Sequence, residues 1–216
     1  MTELVFKGVL SYLLGSIVGS LVIRRLVGGV DVRTLGSGNP GATNAMRTFG
    51  IKVGIGVFII DLVKGWIATG AIAPWAIPGV PPAAPALAAW RAPVCGIAVM
   101  LGHIYPVWFG FRGGKGVATL VGAVLGISAW LLIPMLVTWL IAVILFGFVS
   151  VGSMLGAIAL DVTIWVRHLG IPLLTFGVVA VVLILYTHRA NLVRLRAGTE
   201  SRARRLWLFG TRRGQA

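Results

Sequence analysis

The sequence predicts an all-α polytopic membrane protein of about seven transmembrane helices, with its N-terminus outside and its C-terminus in the cytoplasm. Three observations predict it. Hydrophobic residues make up 58% of the 216 and charged residues only 11%, where a soluble domain carries about 25% charged residues. The apolar residues come in runs close to the roughly 20 residues that cross a bilayer. The positive charges lie between those runs and gather on one side of the predicted topology. The mean hydropathy of +0.98 agrees with this class. In a soluble chain a net charge of +14 would suggest nucleic acid. Distributed among membrane loops it sets topology instead, with contact to anionic head groups as a second consequence.

The first apolar run spans about residues 4–23. Glu3 in its flank and the lack of a small-residue cleavage site argue against a cleaved signal peptide. Gly15 and Gly19 form a GxxxG spacing, which lets helices pack closely in lipid. We read it as an intramolecular packing face. A second span covers residues 53–73 and holds Asp61 and Lys64. These are three apart and share one helical face. Ionisable groups in a span usually face the interior and pair, so the two are expected to form a structural ion pair. The alternative is the wall of a polar cavity. Residues 74–90 carry Pro74, Pro78, Pro81, Pro82 and Pro85, which block a helix interior and predict a loop. A third span runs from about residue 91 to 111 and ends in interfacial aromatics. Residues 117–149 exceed one span and contain Pro134. They are read as two helices, about 117–133 and 135–149. A small polar step, Ser150 to Ser153, precedes spans at about 154–167 and 171–187. His168 falls in the turn between them and is given no role. Cys95 lies in an apolar run and reads as a small buried hydrophobe.

Three polar stretches break this pattern. The first, residues 37–47, is small and glycine-rich. Gly38 and Gly41 admit conformations closed to other residues, and Pro40 stiffens the turn between them. Backbone N–H groups in such loops favour an anion, and Arg47 adds a guanidinium fork that fits phosphate. The second is Phe111-Arg112-Gly113-Gly114-Lys115-Gly116-Val117-Ala118-Thr119. It resembles a phosphate loop without being a Walker A motif. Phe109 stands where that motif needs Gly, and Gly116 where it needs Ser or Thr. Nucleotide hydrolysis is therefore not expected, but glycine amides, an ammonium and a following helix N-terminus still favour an anion. The third runs from Thr187 to Glu200, with His188, Asn191 and Leu195 spaced to share a helical face. The remainder, residues 201–216, reads as a solvated tail with an interfacial patch.

With seven spans, one side collects Arg24, Arg25, Arg33, Arg47, Lys52, Arg112, Lys115 and the eight arginines from Arg189 onward, fifteen of the nineteen basic residues. The positive-inside bias makes that side cytoplasmic. All three polar stretches, with Ser150 to Ser153, then face the cytoplasm, predicting one anion-binding site at the inner membrane surface.

Taken together, Gly36 to Asn44 with Arg47, Gly102-His103 through Gly113 to Thr119, and His188 to Asn191 through Gly198 to Glu200 resemble the PlsY family. Those are the acyl-phosphate-dependent glycerol-3-phosphate acyltransferases of bacterial inner membranes. The resemblance covers nearly the whole chain and implies one integral membrane acyltransferase domain over residues 1–216. It implies transfer of a fatty acyl group from acyl phosphate to the 1-hydroxyl of glycerol 3-phosphate, giving lysophosphatidic acid and inorganic phosphate. This is the first step of phospholipid synthesis. The partners implied are those two substrates, the bilayer and an enzyme that supplies acyl phosphate. No nucleic acid, cofactor or metal is implied. By the same resemblance Ser37, Arg47, Lys115 and Ser153 hold phosphate oxygens. Gly38, Asn39, Gly41, Asn44 and Thr119 belong to the substrate-binding set. Gly113, Gly114 and Gly116 let acyl phosphate approach the backbone. His188 and Asn191 lie beside glycerol 3-phosphate, and Glu200 braces the tail on an arginine. The 74–90 loop looks longer than is usual in the family.

The attacking hydroxyl must lose a proton. His188 has the intrinsic pKa of a general base, and the leaving phosphate is the other acceptor. The fifth residues after His103, His168 and His188 are Trp108, Leu173 and Val193. The chain thus lacks the His-x4-Asp pair of the acyltransferases that use thioester donors. A transporter for a phosphorylated anion is the competing reading, with Asp61, Lys64 and Asp161 lining a path. It expects internal repeats and polar groups meeting at the midplane, and the sequence shows neither.

Overall fold

The computed structural model describes residues 1–27, 29–203 and 206–209, without the side chains of Leu26 and Val27. Among these residues there are ten α-helices and no strand. They are α1 Thr2–Gly15, α2 Gly19–Val27, α3 Ala42–Phe49, α4 Ile51–Ile67, α5 Arg91–Ile104, α6 Val117–Ile127, α7 Leu132–Phe146, α8 Val149–Val166, α9 Ile171–Thr187 and α10 Arg189–Arg196.

Four helical stretches are long and apolar enough to cross a membrane: Ile51–Ile72, Pro85–Phe109, Ala129–Phe146 and Val149–Val166. Two bent pairs, α1 with α2 at 54° and α9 with α10 at 52°, bring the number to six. The expected helix 117–133 is instead α6, of 11 residues, which at 1.5 Å per residue is too short to span a bilayer unaided. The break falls at extended Ser128 rather than at Pro134. Pro134 sits in the first turn of α7, where its missing N–H costs no helical hydrogen bond. The span expected from residue 154 starts at Val149, so Ser150 and Ser153 lie inside α8. Within the proline-rich stretch, residues 85–90 form a 3-10 turn. His168 takes a left-handed turn conformation (φ 51°), as its loop position suggested.

Close backbone contacts set the packing directions. Gly8 packs against Val94 and Gly15 against Val99, so α1 and α5 run parallel. Gly65 meets Thr119 and Gly126 meets Thr69, so α4 and α6 also run parallel. Gly122 is required here, because a Cβ would collide with the carbonyl of Leu62. Helices α7 and α8 are antiparallel across left-handed Gly147 (φ 78°). The GxxxG residues serve two partners: Gly15 contacts α5, while Gly19 contacts α4 at Val57.

One apolar core joins α5, α6, α8 and α9, built on Val99, Met100, Leu120, Leu160, Phe176 and Ile184. A smaller cluster of Val18, Leu21, Val32, Ala45 and Val57 underlies the first polar loop. Ile59, Ile133, Ile141, Trp165 and Val182 are each more than half exposed. An apolar surface of that extent suits lipid and not water. The tail is not simply solvated: the Ala203 and Leu208 N–H groups donate to Gly147 O (2.7 Å) and Ile144 O (2.9 Å), capping α7. Arg202 stacks on Trp207, 4.0 Å from the ring centre. Arg204, Arg205, Arg212 and Arg213 lie outside the described residues.

Candidate active site

The first loop is closed from beneath by Asn44. Its amide donates to Val32 O (3.2 Å) and Leu35 O (2.9 Å), and its carbonyl accepts the Ser37 N–H (2.9 Å). Asn44 is buried, so this predicted ligand spends its amide on the loop. What the loop presents is Ser37 and Gly38, both exposed, and half-buried Asn39, with Gly41 preceding α3. Arg47, exposed on α3, lies close enough for its charge to act on Lys115. Asp31 caps the Val32–Thr34 turn, and the Arg33 guanidinium beside it holds its carboxyl below the ordinary range. Arg33 also reaches Phe109 O (3.2 Å), tying the first loop to the second.

The second loop departs from expectation. The Gly113 and Gly114 N–H groups donate to Ile104 O (3.0 Å) and His103 O (3.1 Å), so these amides are engaged by the end of α5. Glycine is needed at 114 because a Cβ would collide with the His103 ring. Left-handed Gly116 (φ 85°) turns the chain into α6. The first intrahelical bond of α6 runs from Leu120 N–H to Gly116 O (2.8 Å). The N–H groups of Val117 to Thr119 precede it, leaving the orphan donors of a helix N-terminus beside Lys115. The Thr119 side chain is fully buried inside the bundle and does not face this surface.

Lys115 is the joint between the second and third motifs. Its ammonium donates to the Asn191 side-chain carbonyl, and its backbone carbonyl accepts the Thr187 hydroxyl (3.1 Å). Asn191 then donates to Glu200 Oε1 (2.6 Å). Glu200 also accepts from Ser150 (2.9 Å) and from Arg194 Nε (2.7 Å). Burial alone would raise the Glu200 pKa; the Asn191, Arg194 and Ser150 donors outweigh it and hold the carboxyl below its ordinary value. Burial lowers Lys115 to about 8 despite Glu200, with repulsion from Arg194 and Arg47 in the same direction.

His188 stands at the bend between α9 and α10, not within a shared helical face, and is buried. Its Nδ1 lies 2.8 Å from Ile184 O. A carbonyl cannot donate, so Nδ1 carries the proton and Nε2 keeps its lone pair. Burial first, then the Lys115 charge, push His188 down to about 4. At neutral pH it is an uncharged imidazole with one acceptor nitrogen.

One end of the bundle thus gathers Lys115, His188, Asn191, Glu200, Arg47 and the Ser37 loop. Ser153 turns its hydroxyl back to Val149 O (2.9 Å) and is buried in α8. Ser150 is the serine that joins the network. Asp61 and Lys64 lie away from it, paired at 2.9 Å. The arginine expected to pair with Glu200 is Arg194 (2.7 Å), which no helical spacing singled out. Sequence reasoning missed His103, which read only as a motif letter.

The family model described as glycerol-3-phosphate acyltransferase matches residues 5–198. The glycerol-3-phosphate acyltransferase of Chlorobaculum tepidum is 38% identical over 90% of this chain and 94% of its own. That of Aquifex aeolicus is 39% identical over 91% and 97%. The crystal structure of PlsY, an integral membrane glycerol 3-phosphate acyltransferase, in its glycerol 3-phosphate form superposes with a TM-score of 0.81. It is 37% identical and covers 92% of this chain and 94% of that one. Its lysophosphatidic acid form gives 0.79 at 36% identity. The apolar bundle, the cationic cluster at one end and these matches agree, and the chain belongs to the integral membrane glycerol-3-phosphate acyltransferases, the PlsY family.

Proposed function

We propose that the protein transfers a fatty acyl group from acyl phosphate to the 1-hydroxyl of glycerol 3-phosphate, as one integral membrane domain with its site at the cytoplasmic face of a bacterial inner membrane. The observation that carries this reading is the chain Lys115–Asn191–Glu200–Arg194 beside neutral His188. It offers cations for two phosphate groups and one uncharged acceptor for a hydroxyl proton. The acceptor hydroxyl oxygen attacks the acyl carbonyl carbon. The bond from that carbon to the phosphate oxygen breaks, and inorganic phosphate leaves with the bond pair.

Lys115, Arg47 and the α6 N-terminus stabilise charge growing on the leaving phosphate. Ser37 and the exposed part of its loop hold the second phosphate. His188 Nε2 accepts the hydroxyl hydrogen bond and orients the attack. The proton passes either to His188 or to the leaving phosphate, and both balance the reaction. Glu200 braces Asn191 and so aims Lys115. An enzyme making acyl phosphate supplies the donor.

Donor choice tests the reading. Purified protein is given glycerol 3-phosphate with either palmitoyl phosphate or a palmitoyl thioester. Lysophosphatidic acid is expected from the phosphate donor only. Equal or better yield from the thioester would contradict the proposal.

A further inference from the structure

Three elements meet at the point where the first span breaks. Helix α1 stops at Gly15 and α2 starts at Gly19, bent by 54°. A break inside an apolar span leaves backbone groups that lipid cannot satisfy. The Lys64 ammonium lies 2.9 Å from Gly15 O and 2.8 Å from Ile17 O. The Gly19 N–H donates to Asp61 Oδ1 (3.1 Å). A cation thus sits at the C-terminal end of α1 and an anion at the N-terminal end of α2, the signs that helix dipoles favour. His103 closes the cluster, with Nδ1 2.8 Å from Lys64 Nζ and 3.3 Å from Asp61 Oδ1. All three side chains are almost fully buried.

Both substrate-facing loops hang from this cluster. On one side, Ser20 at the start of α2 donates to Pro40 O (2.6 Å), inside the Ser37–Arg47 loop. On the other, Ser16 in the break accepts the Val107 N–H (3.3 Å), and the His103 ring and carbonyl support Gly113 and Gly114 next to Lys115. We infer that Asp61, Lys64 and His103 are positioning residues for the acyl transfer. They fix the α1–α2 break so that the Ser37–Arg47 loop and the Gly113–Lys115 loop are held in one register. The inference rests on the function proposed above for those loops. It gives the buried ion pair a role that stability alone does not require.

The test compares two buried lysines. Lys7 is as buried as Lys64 and pairs with Glu3 (2.6 Å) and Ala73 O (2.6 Å), distant from both loops. Lys64→Met is expected to raise KM for glycerol 3-phosphate and acyl phosphate together, and to weaken inorganic phosphate binding by calorimetry, each about tenfold or more, because small displacements of positioning groups are costly. Lys7→Met is expected to lower the thermal midpoint while leaving both KM values and phosphate affinity unchanged. Asp61→Asn, which still accepts the Gly19 N–H, should retain more activity than Asp61→Ala. If Lys64→Met does not fold, the two Asp61 variants carry the same comparison. Wild-type KM values and phosphate affinity in Lys64→Met or Asp61→Ala, with only the thermal midpoint lowered, would overturn the inference. Should the wild-type protein transfer no acyl group, the proposed function fails, while the phosphate-binding comparison still decides this point.

Discussion

At the scale of single residues, charge and protonation decide what the site does. Lys115 meets phosphate only as an ammonium, and its lowered pKa of about 8 sets an upper limit. His188 accepts a hydroxyl proton or hydrogen bond only when neutral, and its pKa of about 4 sets a lower limit. The signs follow directly: kcat/KM falls as pH rises through about 8, when Lys115 loses its proton, and falls as pH drops through about 4, when His188 gains one. Between these limits neither group titrates, so a limb at about pH 6 is expected only from the second ionisation of the substrate phosphates. Lys115→Ala should lower kcat about 100- to 1,000-fold, the scale of losing one preorganised donor to developing charge. Wild-type turnover in that variant would remove Lys115 from the site. Asn44→Ala is predicted to act differently. It removes the acceptor for Ser37 N–H and two donors to loop carbonyls, so it should lower stability as well as activity, seen as a lower thermal midpoint.

At the scale of elements, hydropathy located the apolar spans, and the structure shows how far that reaches. Pro134 drew the predicted break because proline blocks helix interiors. The first turn of α7 tolerates it, and the chain instead turns at Ser128, whose extended conformation no local signal announces. The glycines of the second motif read as a phosphate cradle, whereas the structure uses Gly113 and Gly114 to seat the loop on His103. Composition cannot separate those uses, because a close approach to a ligand and a close approach to the protein's own ring both require the missing Cβ. The pairing of Asp61 with Lys64 was legible from their spacing. Its third member, His103, was not, because it comes from another helix. Helix packing gives its own prediction. Gly122→Ala places a methyl against the Leu62 carbonyl between α4 and α6, and should destabilise by about 1–3 kcal/mol, read as a lower thermal midpoint in detergent.

At the scale of the molecule, the parallel pairs α1–α5 and α4–α6 and the α7–α8 hairpin put the ends that carry Lys115, Ser150 and His188 together. Asp61 and Lys64 engage each other and the backbone rather than line a path, which counts against the transporter reading. The positive-inside asymmetry is the ground on which that end is proposed to face the cytoplasm. Exposed Ala84 and Ala197 lie at opposite ends of the proposed topology, and the native Cys95 is buried. In intact cells whose outer barrier is opened, an impermeant thiol reagent is expected to label Ala84→Cys and to spare Ala197→Cys until the inner membrane is permeabilised. The reverse pattern would invert the orientation. The central claim is the reaction itself. Purified protein in lipid, given palmitoyl phosphate and glycerol 3-phosphate without any cofactor, is followed for inorganic phosphate and lysophosphatidic acid together. The account predicts that both appear in equal amounts and only when the acceptor is present. Phosphate release without acceptor or without lysophosphatidic acid would contradict it.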